Sequence, residues 1–175
     1  MSEIESFIQW IISLVSENLY PGVFLAALLE TVFPPIPSEA VFPLAGYSIL
    51  NQDMPPFHIV GVGITGGTGA TIGSFVIYLI AKKVGRFAIV KHAKKVRIKE
   101  KQIIHAESWF SKYGDKAVLF GRMVPGIREL VSIPAGILNM KYFKFFVYTF
   151  VGSCAWSTSL TAAGYYFGVA TIKLF

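Results

Sequence analysis

Residues 29–43 read LETVFPPIPSEAVFP, in which four prolines and two glutamates interrupt an apolar run. From Pro21 to Leu50 the chain has no Lys or Arg, and its two carboxylates are Glu30 and Glu39. An interior proline removes an amide donor and clashes with the preceding turn, at about 3 kcal/mol, so a continuous helix is excluded here. Acids at such a break are expected only where the segment lines a cavity or packs within protein. The pattern therefore predicts a functional site at the two glutamates.

The composition is too apolar for a soluble domain, with 54% hydrophobic residues, 15% charged residues and a mean hydropathy of +0.58. Residues 57–81 and 145–172 contain no Asp, Glu, Lys or Arg. Each run exceeds the roughly 20 residues that cross a hydrocarbon core. At 175 residues the chain has room for one domain. We therefore predict an all-α integral membrane protein with a single membrane domain, 1–175.

Charge predicts the orientation of the chain in the membrane. Nine of the sixteen basic residues fall between Lys82 and Lys101, together with one acid, Glu100. Nucleic-acid binding is one interpretation, but between two membrane segments the positive-inside rule favours a cytoplasmic loop over residues 82–102. Such a loop is also attracted to anionic lipid headgroups. Span 57–81 then runs from outside to inside, which places the turn at 51–56 outside.

Two segments are broken by prolines and have arms too short to cross the membrane. The first enters from outside, and the second carries Arg122 and Arg128 and opens to the cytoplasm. The prolines predicted to break these hairpins are Pro34, Pro35, Pro37, Pro43, Pro125 and Pro134. The predicted segments are an interfacial amphipathic helix at 1–20, re-entrant hairpin 1 at 21–50, a transmembrane helix at 57–81, the basic loop at 82–102, an amphipathic helix with re-entrant hairpin 2 at 103–140, and a transmembrane helix at 142–172.

The two halves of the chain share a short pattern. Residues 43–51 read PLAGYSILN and residues 134–139 read PAGILN, and each precedes a long span. Broken segments at corresponding positions, entering from opposite faces, predict an inverted repeat of the kind found in transporters. Chance similarity between short apolar stretches is the alternative interpretation.

Four charges carry the predicted chemistry. A charge in mid-membrane costs about 2.5–3.5 kcal/mol, which pairing between Glu30, Glu39, Arg122 and Arg128 would offset. The planar guanidinium fork suits a carboxylate or a phosphate, and glutamates can carry protons. The alternatives are a static ion-pair network, or arginines that reach the cytoplasmic interface as ordinary interfacial residues.

Other features predict structural roles. His58, His92 and His105 share no metal-ligand spacing, so neither a metal site nor a cofactor is expected. No serine has a partner arrangement for nucleophilic catalysis, so the chain is not expected to be an enzyme. The acidic start predicts that no signal peptide is present. The glycines predicted to serve close helix packing are Gly66, Gly67, Gly69, Gly73, Gly164 and Gly168.

Residues 30–39, ETVFPPIPSE, followed by PLAG at 43–46, resemble the first signature of the DedA family of VTT-domain, or SNARE-associated, membrane proteins. Residues 120–128, FGRMVPGIR, continuing to SIPAG at 132–136, resemble the second signature. The resemblance covers about residues 20 to 172. It implies two opposed re-entrant hairpins and lipid translocation. Bacterial members are implicated in returning undecaprenyl phosphate or phosphatidylethanolamine across the cytoplasmic membrane, with proton-motive force involved, and eukaryotic relatives are scramblases.

By this resemblance the family's essential acids fall on Glu30 and Glu39, and its essential arginines on Arg122 and Arg128. Relatives usually carry a further C-terminal helix, so the chain is expected either to do without one or to receive it from a partner or a second copy of itself. Glu129 departs from the pattern, and we expect it to neutralise Arg128 in part and to weaken anion binding.

The leading hypothesis is a lipid transporter, either a flippase or a scramblase, of the cytoplasmic membrane. Arg122 and Arg128 would bind the anionic head group of a phospholipid or polyprenyl phosphate. Glu30 and Glu39 would carry protons or gate the path. The alternatives are a proton-coupled transporter of a small ion or osmolyte, and a scaffold for membrane assembly that transports nothing.

Overall fold

The computed structural model describes residues 10, 13–32, 38–93 and 100–168, with the backbone alone at 32, 38, 86–93, 100, 102, 103 and 106. All regular structure within these residues is helical, which confirms the all-α prediction. Residues 13–17 form a short helical stretch ahead of the main helices. The main helices are α1 (Leu19–Val32), α2 (Ser38–Asn51), α3 (Phe57–Ala93), α4 (Glu100–Tyr113), α5 (Lys116–Gly121), α6 (Ile127–Leu130), α7 (Ser132–Ile137) and α8 (Tyr142–Phe167).

The first broken segment forms two helices, α1 and α2, that pack against each other. Each has 14 residues, or about 21 Å, which is shorter than a hydrocarbon core of about 30 Å. The prolines at 34, 35 and 37 lie outside the described residues, as do 1–9 of the predicted interfacial helix. That the two helices form a re-entrant hairpin therefore stays a prediction.

Pro43 does not end a helix, so its prediction as a breaking residue is wrong. It lies in the interior of α2. Because proline has no amide hydrogen, the carbonyl of Glu39, one turn earlier, receives no helical hydrogen bond from Pro43. The rest of the helix keeps its hydrogen bonds. The backbone of Pro43 also packs directly against Gly164 of α8, and this tertiary contact stabilises a helix that local preference disfavours.

The second broken segment forms three short helices, α5, α6 and α7. Pro125 lies in the turn between α5 and α6, next to Gly126, whose φ of 77° is one that glycine adopts without strain. Pro134 is the third residue of α7 and does not break it, contrary to prediction. The first turn of a helix tolerates proline because its amides have no partner within the helix.

The long helix α3 continues past the predicted span 57–81. Within the described part of the chain, Phe57–Gly85 is the stretch that is long and apolar enough to cross a membrane. At Gly85 the backbone leaves the helical region (φ 76°, ψ 170°), and the helix then resumes as far as Ala93. The basic segment 82–102 is thus helical at both ends rather than a loop. The positive-inside rule predicts only the side of the membrane on which the segment lies, and Lys and Arg are themselves good helix formers.

The last helix, α8, has 26 residues and ends at Phe167. The end of the predicted span 142–172, from residue 169 onward, lies outside the described residues. The helix is long enough to cross a membrane. Its serines, threonines and tyrosines lower its hydropathy, so α8 is not apolar enough to be identified as a membrane span in the way that Phe57–Gly85 is.

The chain divides into two compact units, residues 1–73 with 153–175 and residues 74–152. Each unit therefore contains one of the two broken segments together with part of α3 and part of α8. This division fits a duplicated plan, although the inverted repeat itself stays a prediction.

In the first unit, glycines let helix backbones approach closely. A Cβ at Gly73 would lie 2.9 Å from Cβ of Thr31 on α1, too close for an ordinary contact. Gly168 is an exception to the packing prediction, because its nearest neighbour, Tyr47, would be 4.0 Å from a Cβ. The prediction is confirmed for Gly66, Gly67, Gly69, Gly73 and Gly164, and the same close contacts occur at Gly46 and Gly63.

The core of the second unit centres on Tyr78 of α3, which is fully buried. Its hydroxyl donates to the carbonyl of Met140, and its ring stacks on Phe145 with centroids 4.3 Å apart. Gly136 of α7 lies against the same helix, where a Cβ would be 2.7 Å from Cβ of Ala81. These contacts fix α3, α7 and α8 around the second broken segment.

Candidate functional site

The two glutamates belong to the first unit. Glu30 lies near the end of α1 and is 5% exposed, so its carboxyl group is removed from the surface. Glu39 is the second residue of α2 and is half-buried. A carboxylate in the first turn of a helix is stabilised by the backbone amides there. The arginines belong to the second unit, and pairing between the two sets stays a prediction.

Arg122 follows the end of α5 and is 4% exposed. Its Nη2 donates to Oγ of Ser132 at 2.6 Å. Its Nε is also buried, and it makes no hydrogen bond to any of the described residues. A buried charged donor without an acceptor is costly, because burial removes its water and nothing replaces it. This guanidinium therefore keeps a hydrogen-bond donor that an anion can accept from.

A glycine makes room for the stem of Arg122. A Cβ at Gly152 of α8 would lie 2.8 Å from Cβ of Arg122 and 2.9 Å from the carbonyl oxygen of Leu119. Real Cβ atoms essentially never show separations below 3.0 Å. Any side chain at this position would displace the arginine or separate the helices.

Arg128 lies in α6 and is 9% exposed. Its Nη2 is 3.4 Å from Oε1 of Glu129, as we expected for neighbouring charges. A strong bond between a guanidinium and a carboxylate is about 2.7–2.9 Å long, so this contact is a loose one. The side chain of Glu129 is 30% exposed and keeps access to solvent, which reduces its hold on Arg128.

Ser132 is not among the site residues predicted from the sequence. It is fully buried, begins α7 and accepts the hydrogen bond from Arg122. Its place within the second signature, at the start of SIPAG, was the signal in the sequence, but nothing in the spacing from Arg122 indicated the contact. The two residues are ten positions apart along the chain, and the short helix α6 lies between them.

A third cation of the second unit has aromatic partners. Nζ of Lys82 lies 3.9 Å from the ring centroid of Tyr142 and 3.2 Å from the hydroxyl of Tyr78. Both contacts favour the charged amine. Lys82 thus packs against the core, although the sequence places it in the predicted basic loop.

Within the described ranges, no group of three or more His, Cys, Asp or Glu side chains could bind a metal ion. The buried polar groups of the second broken segment are suited to an anion, which needs hydrogen-bond donors rather than metal ligands.

A comparison with protein families gives a match to the VTT domain over residues 36–166, which is more than half of the chain. The chain belongs to the VTT-domain (DedA) family. The matched range includes Glu39, Arg122, Ser132 and Arg128 and begins after Glu30. No solved structure matches the chain.

Several relatives of this VTT-domain protein carry functional names. Undecaprenyl phosphate transporter A of Bacillus subtilis (strain 168) is 34% identical over 163 residues, which cover 89% of this chain and 79% of the relative. The protein of the same name from Staphylococcus aureus is 32% identical over 161 residues, covering 89% and 77%. An alkaline phosphatase-like protein of Lactococcus lactis subsp. cremoris is 31% identical over 159 residues, covering 88% and 73%.

Other relatives are named membrane proteins. This VTT-domain protein is therefore a membrane protein, and its family includes proteins named as transporters.

Proposed function

We propose that the chain is a multi-pass lipid transporter, a flippase or scramblase, of the cytoplasmic membrane. It moves a phospholipid or a polyprenyl phosphate, with the basic segment 82–102 on the cytoplasmic side. Arg122 and Arg128 bind the anionic head group, while Glu30 and Glu39 carry protons or gate the path. The partners are membrane lipids, protons and, through a homo-oligomer, a second copy of the chain.

The observation that carries this proposal is the burial of two arginines in one broken segment. Arg122 and Arg128 are 4% and 9% exposed, and Nε of Arg122 has no acceptor among the described residues. A guanidinium that is desolvated in advance binds an oxyanion more strongly than one in water, because fewer water contacts are lost on binding. A phosphate head group supplies the missing acceptor oxygens.

Irregular backbone around these arginines also supports transport. In a membrane, non-helical backbone is tolerated only where it is buried in protein or lines a water-filled cavity. The turn at 122–126 sits beside the buried arginines, with positive φ at Gly126. Substrate sites of secondary transporters are typically formed by such interrupted helices.

The names of the relatives support the substrate class. The Bacillus subtilis and Staphylococcus aureus proteins are named transporters of undecaprenyl phosphate, a polyprenyl phosphate. Its phosphate group is an oxyanion of the kind that a guanidinium fork binds.

The proposal is tested by reconstituting the full chain in proteoliposomes and measuring the flipping of a fluorescent phospholipid and of a polyprenyl phosphate. We expect Arg128→Ala to abolish flipping because it removes a head-group donor. We expect Glu39→Gln to do the same because a carboxamide cannot bind and release a proton as a carboxyl group does. Each variant should lower the rate by at least about tenfold, the effect of losing one interaction of about 1.4 kcal/mol.

The matched control is Lys141→Ala, which removes an exposed cation from the same unit as Arg128. It should keep the wild-type rate. Wild-type flipping in both Arg128→Ala and Glu39→Gln would overturn the proposal, provided that all variants elute and melt as the wild type does. Assays with and without a pH gradient separate proton-coupled transport from scrambling.

A further inference from the structure

We propose that Ser132 and Arg122 form one buried oxyanion subsite, in which the hydroxyl of Ser132 donates to the same phosphoryl group that the guanidinium binds. The inference rests on the proposed function and deepens it, because it assigns a binding role to a residue outside the predicted site.

The oxygen of Ser132 is already used as an acceptor. Nη2 of Arg122 donates to it at 2.6 Å, and both side chains are buried. The hydroxyl hydrogen remains, and no residue in the described ranges accepts a hydrogen bond from it. A buried hydroxyl donor normally finds an acceptor, because its water is gone.

Several other helical hydroxyls of this protein donate to a backbone carbonyl, whereas Thr149 and Thr161 of α8 have no hydrogen-bond partner among the described residues. Serines and threonines in helices commonly donate to the carbonyl four residues earlier. Ser48 donates in this way to the carbonyl of Leu44, and Ser159 to that of Ala155. Ser132 makes no such bond among the described residues, so its proton stays available for a ligand. The other hydroxyls that donate four residues back are those of Thr31, Thr65, Thr68, Thr71 and Ser157.

The free donors of the pair lie close together. Nε and Nη2 of Arg122 are on the same planar guanidinium group, Nε lacks an acceptor, and Nη2 touches Ser132. A phosphoryl oxygen that accepts from Nε therefore lies near the serine hydroxyl. The bond from the guanidinium also polarises the hydroxyl, which makes the serine a stronger donor to an anion.

The ligand class follows from the number and type of donors. A phosphoryl group presents several oxygens around one centre and can accept from the guanidinium and the hydroxyl together. A lipid phosphate and inorganic phosphate share this chemistry, so both serve as probes. An apolar tail distinguishes them, because only the lipid gains from burying it.

The test measures binding to the full chain purified in detergent, by isothermal titration with farnesyl phosphate and with inorganic phosphate. We expect Ser132→Ala to bind both about tenfold more weakly, the effect of losing one hydrogen bond to a charged group. Ser132→Thr keeps the hydroxyl and should bind within about twofold of the wild type. Ser132→Cys keeps the shape but donates weakly, so it should resemble Ser132→Ala.

The matched control is Ser48→Ala, which removes another buried helical hydroxyl and should leave both affinities unchanged. A purely structural role for Ser132 would give the same affinity in Ser132→Cys and Ser132→Thr, and that result overturns the inference. So does wild-type affinity in Ser132→Ala. Tighter binding of farnesyl phosphate than of inorganic phosphate identifies the lipid as the source of the phosphoryl group.

Arg122→Ala separates the inference from the proposed function. If the wild type binds neither probe, the proposed function fails and the subsite fails with it. If Arg122→Ala loses binding while Ser132→Ala keeps it, the inference alone fails. Loss of affinity in both, with rescue by Ser132→Thr, supports the two proposals together.

Discussion

Gly152 of α8 faces the stem of Arg122, and its missing side chain decides where the guanidinium lies. An added Cβ would be 2.8 Å from Cβ of Arg122, so the arginine would have to move by several tenths of an ångström. A small displacement of a binding group weakens its hydrogen bonds to the ligand, because charge-assisted hydrogen bonds depend strongly on geometry. A residue that contacts no ligand therefore still sets the geometry of the binding group.

We expect Gly152→Ala to lower the flipping rate in proteoliposomes by at least about tenfold, with the protein still folded, because the methyl group displaces Arg122. Overpacking should also destabilise the fold by about 1–3 kcal/mol. The control is Ser159→Ala, on the exposed side of the same helix. An unchanged rate in Gly152→Ala would show that the position of Arg122 is not critical.

At this scale the sequence indicated the charged residues but not their neighbours. Arg122 and Arg128 stood out because charges are rare in an apolar segment. Ser132 did not stand out, since serine is common in packed membrane helices and its contact with Arg122 depends on the turn at 122–126. The role of Gly152 was equally invisible, because it depends on α8 lying beside α5.

At the scale of elements, corresponding glycines of the two broken segments have similar environments. Gly46 of α2 lies against the backbone of Thr161 on α8, within the first unit. Gly136 of α7 lies against the backbone of Tyr78 on α3, within the second. Each broken segment thus packs a glycine of its PLAG or PAG pattern onto a long helix.

We expect Gly46→Ala and Gly136→Ala each to lower the melting temperature of the purified protein, because the added methyl group meets backbone that cannot yield. Overpacking of this kind costs about 1–3 kcal/mol. Ser159→Ala in α8, at an exposed position where a small helix-favouring side chain creates no clash, is the control. A wild-type melting temperature in either glycine variant would contradict the observed helix contact.

The prolines show where sequence reasoning about elements succeeds and fails. Pro125 lies between helices as predicted, because its neighbour Gly126 also leaves the helical region. Pro43 and Pro134 lie within helices instead. Pro134 is in a first turn that tolerates it, and Pro43 is stabilised by packing against Gly164. Local rules give the free-energy cost of a proline in a helix, and tertiary contacts decide whether that cost is offset.

At the scale of the whole molecule, the compact units do not coincide with halves of the chain. Each combines one broken segment with parts of both long helices, because α3 and α8 extend through both units. The sequence predicted two broken segments and two spans in order. It did not predict that the helices would be shared, since that depends on packing between residues far apart in the chain.

The proposed topology is tested by labelling single cysteines in a Cys154→Ser background, which removes the natural cysteine. Gln52 and Lys101 are both exposed. We expect Gln52→Cys to react with a membrane-impermeant maleimide in intact cells, because the turn at 51–56 is predicted to lie outside. Lys101→Cys should react only after permeabilisation. The reverse pattern would contradict the positive-inside assignment.

Local sequence is sufficient to predict a helical, apolar chain with two interrupted segments and a small set of charges within apolar stretches. These are local properties, because hydropathy, proline chemistry and charge act on the residues that carry them. Packing between helices keeps Pro43 helical, makes room for the stem of Arg122 beside Gly152 and brings Arg122 into contact with Ser132. These contacts join residues that no local preference relates, so they exist only once the helices pack.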